Sequence, residues 1–195
     1  MKNLPLLILI SAIVLPGCQS DKQDSFETAI SGYYKIVSIE STVEADLNND
    51  GIRSEDLYDE ISSLHYTPGQ EPTSFYDFES IQNYMEVRPL PDQTNDAKLI
   101  ALNIPDQQID NATSGEAFLS EYSHSFIAYQ YELSDRSNKI ELKNNNVGLS
   151  EEGTILDFEL QPDGFLKLEM TKEVFDFVDL AWIETDLTII YQKVE

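Results

Sequence analysis

A chain of 195 residues holds one ordinary domain plus an address segment, and its 41% hydrophobic content excludes wholesale disorder. Twelve Lys and Arg against 36 Asp and Glu give a net charge of -24, which repels phosphate backbones and anionic headgroups. Nucleic acid is thereby excluded as a partner, as is a basic-patch membrane contact, and the single cysteine, Cys18, excludes an intrachain disulfide.

In chain order, Met1-Lys2 supplies a positive start and residues 4–15 (LPLLILISAIVL) an apolar run. That run is short of the roughly 20 residues a membrane-crossing helix needs. It ends in Leu15-Pro16-Gly17-Cys18. The ending resembles the lipobox of bacterial lipoproteins, in which a leucine and a small residue precede an invariant cysteine; Pro16 stands where Ala or Ser is usual. The resemblance implies a type II signal peptide over 1–17, cleavage before Cys18, and acyl chains on its sulfur and new N-terminus. Each buried CH₂ contributes about 0.8 kcal/mol, so three chains on one residue anchor the protein firmly to a membrane.

Residues 18–27 then form a lipidated tether, and 28–195 the mature domain. Gln19-Ser20-Asp21-Lys22-Gln23-Asp24 is polar, as a flexible tether would be, and also resembles the surface-export tags of Bacteroidota lipoproteins. With no Asp directly after Cys18, the expected location is the cell envelope, the outer membrane rather than the inner, with surface exposure implied by the tag.

From Gly32 onward apolar residues recur with period two. Ile127, Tyr129, Tyr131 and Leu133 alternate with polar neighbours, as do Leu156, Phe158 and Leu160, then Leu166, Leu168 and Met170, then Leu187, Ile189 and Tyr191. Such alternation predicts antiparallel strands with one dry and one wet face. Strands are expected over 32–43, 73–79, 82–89, 97–104, 124–133, 138–143, 153–161, 164–171 and 181–193. Ser134 to Asn138 and Gln161-Pro162-Asp163-Gly164 supply turn chemistry between neighbours, and Asn144 to Asn146 another break. One helix is expected over 54–64, capped by Ser54, with Leu57, Ile61 and Leu64 on one face. The expected fold is mainly β: an antiparallel up-and-down barrel or strongly curled sheet of about eight or nine strands with one short helix.

Gly32-Tyr33-Tyr34-Lys35-Ile36-Val37-Ser38, the loop Asp46-Leu47-Asn48-Asn49-Asp50-Gly51, and Leu187-Thr188-Ile189-Ile190-Tyr191 near the end follow one another in a telling order. They resemble the lipocalin-like lipoproteins of Bacteroidota, whose domain opens G-x-W-x-L-x-S and carries a D-L-N-x-D-G loop; Tyr34 stands where tryptophan is usual. The resemblance implies a lipocalin-like barrel and names no ligand.

The loop is the sharpest candidate site. Asp46, Asn48 and Asp50 place oxygens at the first, third and fifth positions of a calcium loop, and Ile52 a carbonyl at the seventh. Leu57 stands where a bidentate Glu belongs, leaving Asp56 as the substitute. The other reading is an Asn/Asp/Gly turn leading into the helix.

Two histidines, His65 and His124, give no zinc pattern, and Ser123 and Ser125 beside His124 face away from it on a strand. Asp157 and Glu159 share the wet face of a strand, and no nucleophile elbow or phosphate loop appears, so no enzyme is expected. The aromatics Phe75, Tyr76, Phe78, Tyr84, Phe126, Phe175, Phe177 and Trp182 either cover a barrel end or line a ligand mouth. The expected function is a membrane-anchored binding module for a small apolar ligand or a protein partner. The alternative is a structural or adhesion lipoprotein with a filled barrel. Neither assigns ligand-binding residues.

Overall fold

Two-faced strands hide their apolar sides only if the sheet curls until those sides meet. The structure is a computed structural model describing residues 29–88, 98–134, 138–143 and 153–194, with backbone alone for 124–127. The signal-peptide, Cys18 and tether readings lie outside the described residues, as do the side chains of His124 and Phe126. Nine strands are described: β1 (Gly32–Ala45), β2 (Ser54–Asp56), β3 (Met85–Val87), β4 (Leu99–Asn111), β5 (Ala117–Leu133), β6 (Ile140–Lys143), β7 (Thr154–Leu160), β8 (Leu166–Asp176) and β9 (Ala181–Lys193). One helix, α1 (Leu57–Ser62), lies between β2 and β3.

All pairings are antiparallel, in the order β6-β5-β4-β3-β1-β9-β8-β7, with β2 on β1. The result is mainly β and a nearly closed barrel, as the alternation predicts. Tyr34, Ile36, Phe158, Leu166, Leu168, Ile189 and Tyr191 fill its interior, none more than 1% exposed. Each large apolar side chain buried this way contributes about 1.5–3 kcal/mol.

Several elements differ from the sequence reading. Residues 73–79 form no strand beyond a bridge from Thr73 to His65. Tyr76 and Phe78 pack as an aromatic layer with Tyr58 and Tyr122 instead, and Phe75 packs edge-on against His65. The strand expected over 82–89 shrinks to Met85–Val87. β4 and β5 run well past their apolar cores, to Asn111 and from Ala117, because a tight turn at Gly115 (φ 87) pairs them through polar residues, with one register shift between Gln108 and Ile109. The helix is six residues long, and its cap is Asp56, whose Oδ1 accepts from the Asp59 N–H, not Ser54. Residues 54–56 are taken by pairing with β1.

The barrel meets itself along the seam between β6 and β7. At one end the Leu160 N–H donates to the Asn138 carbonyl (2.8 Å) and Lys139 bridges to Glu159. At the other, β8 runs on to Asp176 beyond Thr171, the last partner of β7, so that among the described residues no strand pairs with this edge of its end. Gln107 of β4 covers it. Its Oε1 accepts from the Phe175 N–H (2.8 Å) and its Nε2 donates to the Phe175 carbonyl (3.3 Å), so one side chain substitutes for a strand. Beside it the buried Lys172 ammonium reaches Asp106 at 2.6 Å.

Candidate functional site

The loop after β1 folds around its own side chains. Asp46 is buried; its Oδ1 accepts from the N–H of Asn49 (2.7 Å) and Asp50 (3.3 Å), and its Oδ2 from Gly51 (3.0 Å). Asn48 Oδ1 accepts from the Asp50 N–H and Asp50 Oδ1 from the Ile52 N–H. Asn49 (φ 64) and Gly51 (φ 86) take the left-handed conformations that let the backbone wrap this tightly, which Asn and Gly do at least cost. The structure thus brings Asp46, Asn48 and Asp50 into one turn. Ile52 lies at its exit, and Asp56 spends an oxygen on the cap of α1.

Glu60 of α1 faces the same loop, buried, its Oε2 accepting from the Leu47 (3.0 Å) and Asn48 (3.3 Å) N–H groups. Burial, aided by the charges of Asp46 and Asp50, pushes its carboxyl up to about 7 against those two hydrogen bonds. Asp46 is also raised, chiefly by burial. Among the described residues no group of three or more His, Cys, Asp or Glu is placed to hold a metal. A cation on this loop would therefore rest on two carboxylates, an amide oxygen and a carbonyl.

Asp176, at the end of β8, ties the loop to the β8–β9 hairpin. Its carboxylate accepts from the Asp46 N–H (2.9 Å), the Asp179 N–H (3.0 Å), and Arg53 through Nη2 (2.6 Å) and Nε. Burial pushes the carboxyl up, but Arg53 and the two N–H groups outweigh it and hold it below its ordinary value. The Phe177 N–H donates in turn to the Asp46 carbonyl (2.9 Å).

A second candidate lies on the seam. Between its two closures β6 and β7 part, leaving a groove of about 480 Å³. Tyr129, Ile140, Leu142 and Ile155 give it an apolar side, while Lys139, Lys143, Glu141 and Asp157 ring it with charge. Inside the barrel the void lined by Ile39, Leu57, Ile104, Tyr122 and Ile189 amounts to only 20 Å³. Ligand pockets run to about 300–1,000 Å³, so the groove has the size of a binding site and this interior void does not.

The remaining candidates resolve simply. Asp157, on the groove rim, pairs with Lys139, and Glu159 accepts from Gln161; both are part-buried. His65 is buried and stacked edge-on against Phe75 and Tyr122, and burial lowers its basicity. Tyr76, Phe78, Phe175 and Phe177 are core, whereas Trp182 is about half exposed. Arg53, Glu60, Gln107, Lys172 and Asp176 were not singled out from sequence. For Lys172 and Asp176 a signal exists: they continue the inward phase of Leu166, Leu168, Met170 and Val174. Comparison with protein-family models, characterised proteins and solved structures finds no match for the chain.

Proposed function

We propose that this chain is a lipid-anchored protein of the cell envelope whose barrel serves as a binding module, with the β6–β7 groove as its ligand site. The groove carries the reading. It is the place where an otherwise continuous sheet parts, it has ligand size, and its apolar floor and charged rim suit a small molecule with an apolar body and a polar end. Supporting the anchor are the apolar run 4–15 and the Leu15-Pro16-Gly17-Cys18 ending. Among the described residues no helix is long and apolar enough to cross a membrane.

Calcium on the 46–56 loop belongs to the same reading. Asp46, Asn48, Asp50 and the Ile52 carbonyl would hold the ion, and it would stabilise the domain outside the cell.

Two experiments test the proposal. Cells fed a clickable fatty acid should label the wild-type chain and not Cys18→Ser; equal labelling of both removes the anchor. Anilinonaphthalene dye should brighten on the wild-type protein and about ten-fold less on Leu142→Glu, which puts a carboxylate on the groove floor. Unchanged dye binding in a folded Leu142→Glu would assign the groove no ligand and leave the filled-barrel alternative.

A further inference from the structure

The turn between β8 and β9 ends in an apolar tip that stands in water. Val178 and Leu180 form it, Trp182 follows, and Ile52 flanks it across the Arg53–Asp179 ion pair. These four large side chains are between 46% and 66% exposed. Leu180 adds a second oddity: it holds φ 52, in the left-handed region where a bulky side chain is strained and Gly or Asn is not. A leucine kept there while pointing out of the core contributes little to packing. Trp182 rests one edge on Phe175, with centroids 5.5 Å apart, and leaves the rest of its ring open. Large apolar side chains gathered in one exposed place mark a contact surface.

Position and charge select the occupant. The first described residues lie at the opposite end of the barrel, where Lys193 donates to the Ala29 carbonyl (2.9 Å) and Val194 to Tyr33 (2.8 Å). From there to the tip is the whole of β9, about 40 Å at roughly 3.3 Å per residue. The chain enters the described residues at that far end, so a membrane holding Cys18 would face it rather than the tip. This step rests on the anchor reading; the charge argument does not. Beside the tip the exposed Glu173 and Glu184 face each other across β8 and β9, two residues from the Phe175–Trp182 pair, and Asp179 stands in the turn itself, while Arg53 is already engaged by Asp176 and Asp179. A second copy would set like-charged rims against each other, and an anionic lipid surface would be repelled. A cationic surface with apolar anchors meets both halves of the tip.

We infer that the apolar tip formed by Val178, Leu180 and Trp182, with its carboxylate rim, is a docking surface for a cationic amphipathic segment of a partner protein. The partner's apolar side chains seat on the three residues and its Lys or Arg groups on the rim. Burial of the apolar centre holds the complex, and the rim supplies orientation and a rapid encounter.

Trp182 is the sole tryptophan, so its emission reads occupancy directly. The full chain in a non-ionic detergent is titrated with a synthetic helical peptide bearing leucines on one face and lysines on the other. A saturable blue shift is expected, weakened about ten-fold in Val178→Ser/Leu180→Ser and by raised salt. Leu180→Gly removes the left-handed strain, so it keeps or raises the melting temperature while weakening binding in the same way; a folding defect cannot mimic that pair of results. A peptide with glutamates in place of lysines should leave the emission unchanged. Equal binding by the double-serine variant would reduce the effect to general acidity and overturn the proposal. So would a shift caused by phosphatidylglycerol or phosphatidylcholine vesicles without peptide, or sedimentation showing that the tip pairs with a second copy. Repeating the titration with Cys18→Ser separates the two readings, since loss of the anchor leaves the tip and its peptide response intact.

Discussion

Replacing Asp176 by Ala removes one carboxylate that serves four donors, and its cost can be worked out bond by bond. The side chain is 1% exposed, and breaking a wholly buried ion pair costs about 3–5 kcal/mol. Arg53 is 33% exposed and keeps Asp179, so solvent and the second acid reduce its share to about 1 kcal/mol. The Asp46 N–H belongs to a buried residue and loses its acceptor, which adds about 1–2 kcal/mol. The Asp179 N–H sits at the exposed turn and finds water, so it adds little. The total is about 2–3 kcal/mol, and Asp176→Asn, which retains an acceptor and the shape, should cost about half of that. Urea unfolding of the three proteins measures both differences as midpoint shifts at constant slope. The pH dependence gives a second reading. Because the folded carboxyl lies below its ordinary 3.8, its contribution is complete above that value and is lost as the pH falls through the folded one. The gap between wild type and Asp176→Ala should therefore be constant from pH 8 to 5 and close below pH 4. A loss under about 1 kcal/mol for Asp176→Ala, or a gap that persists in acid, would refute the assignment of Asp176 as the tie between loop and hairpin.

Glu60 predicts the opposite slope. With a folded value of about 7 against 4.5, it favours the folded state while protonated, so stability falls as the pH rises from 4.5 through 7, by at most about 3 kcal/mol. Thermal melting in chelator should show this loss in wild type and a clearly shallower profile in Glu60→Gln, with Asp46, also raised by burial, supplying the remainder; equal wild-type stability at pH 5 and 8 would contradict it. Calcium at millimolar concentration should raise the melting temperature of the full chain, and Asp50→Ala should abolish the rise. Without a shift, the loop is a turn and helix cap only. Gln107→Ala should cost about 1–3 kcal/mol by orphaning the Phe175 backbone, and exchange of the Phe175 amide should quicken. Unchanged exchange at Phe175 would mean that the end of the seam is held by other contacts.

The barrel was legible because its signal is periodic: wherever apolar residues alternate for five or more positions, as over Leu166–Met170 or Leu187–Tyr191, a strand is present. The signal fails where it has nothing to alternate with. Gln107 and Gln108 read as loop beyond a strand ending at 104, yet β4 runs through them to the turn at Gly115, and that extension is what lets Gln107 reach β8. Tyr76 and Phe78 read as a strand because they are aromatic, yet a layer across a barrel end uses the same residues without pairing. The loop 46–51 was legible as a turn from its Asn, Asp and Gly, whereas its attachment to Asp176 depends on a contact 130 positions apart, which no local pattern carries. That contact also joins the two surfaces with chemical character at this end of the barrel. Asp46 and Asp50 lie on one side of Asp176, and Val178, Leu180 and Trp182 lie on the other. An ion drawn into the loop would act on the Asp46 backbone that Asp176 and Phe177 hold, so the rigidity of the apolar tip is expected to depend on what the loop binds.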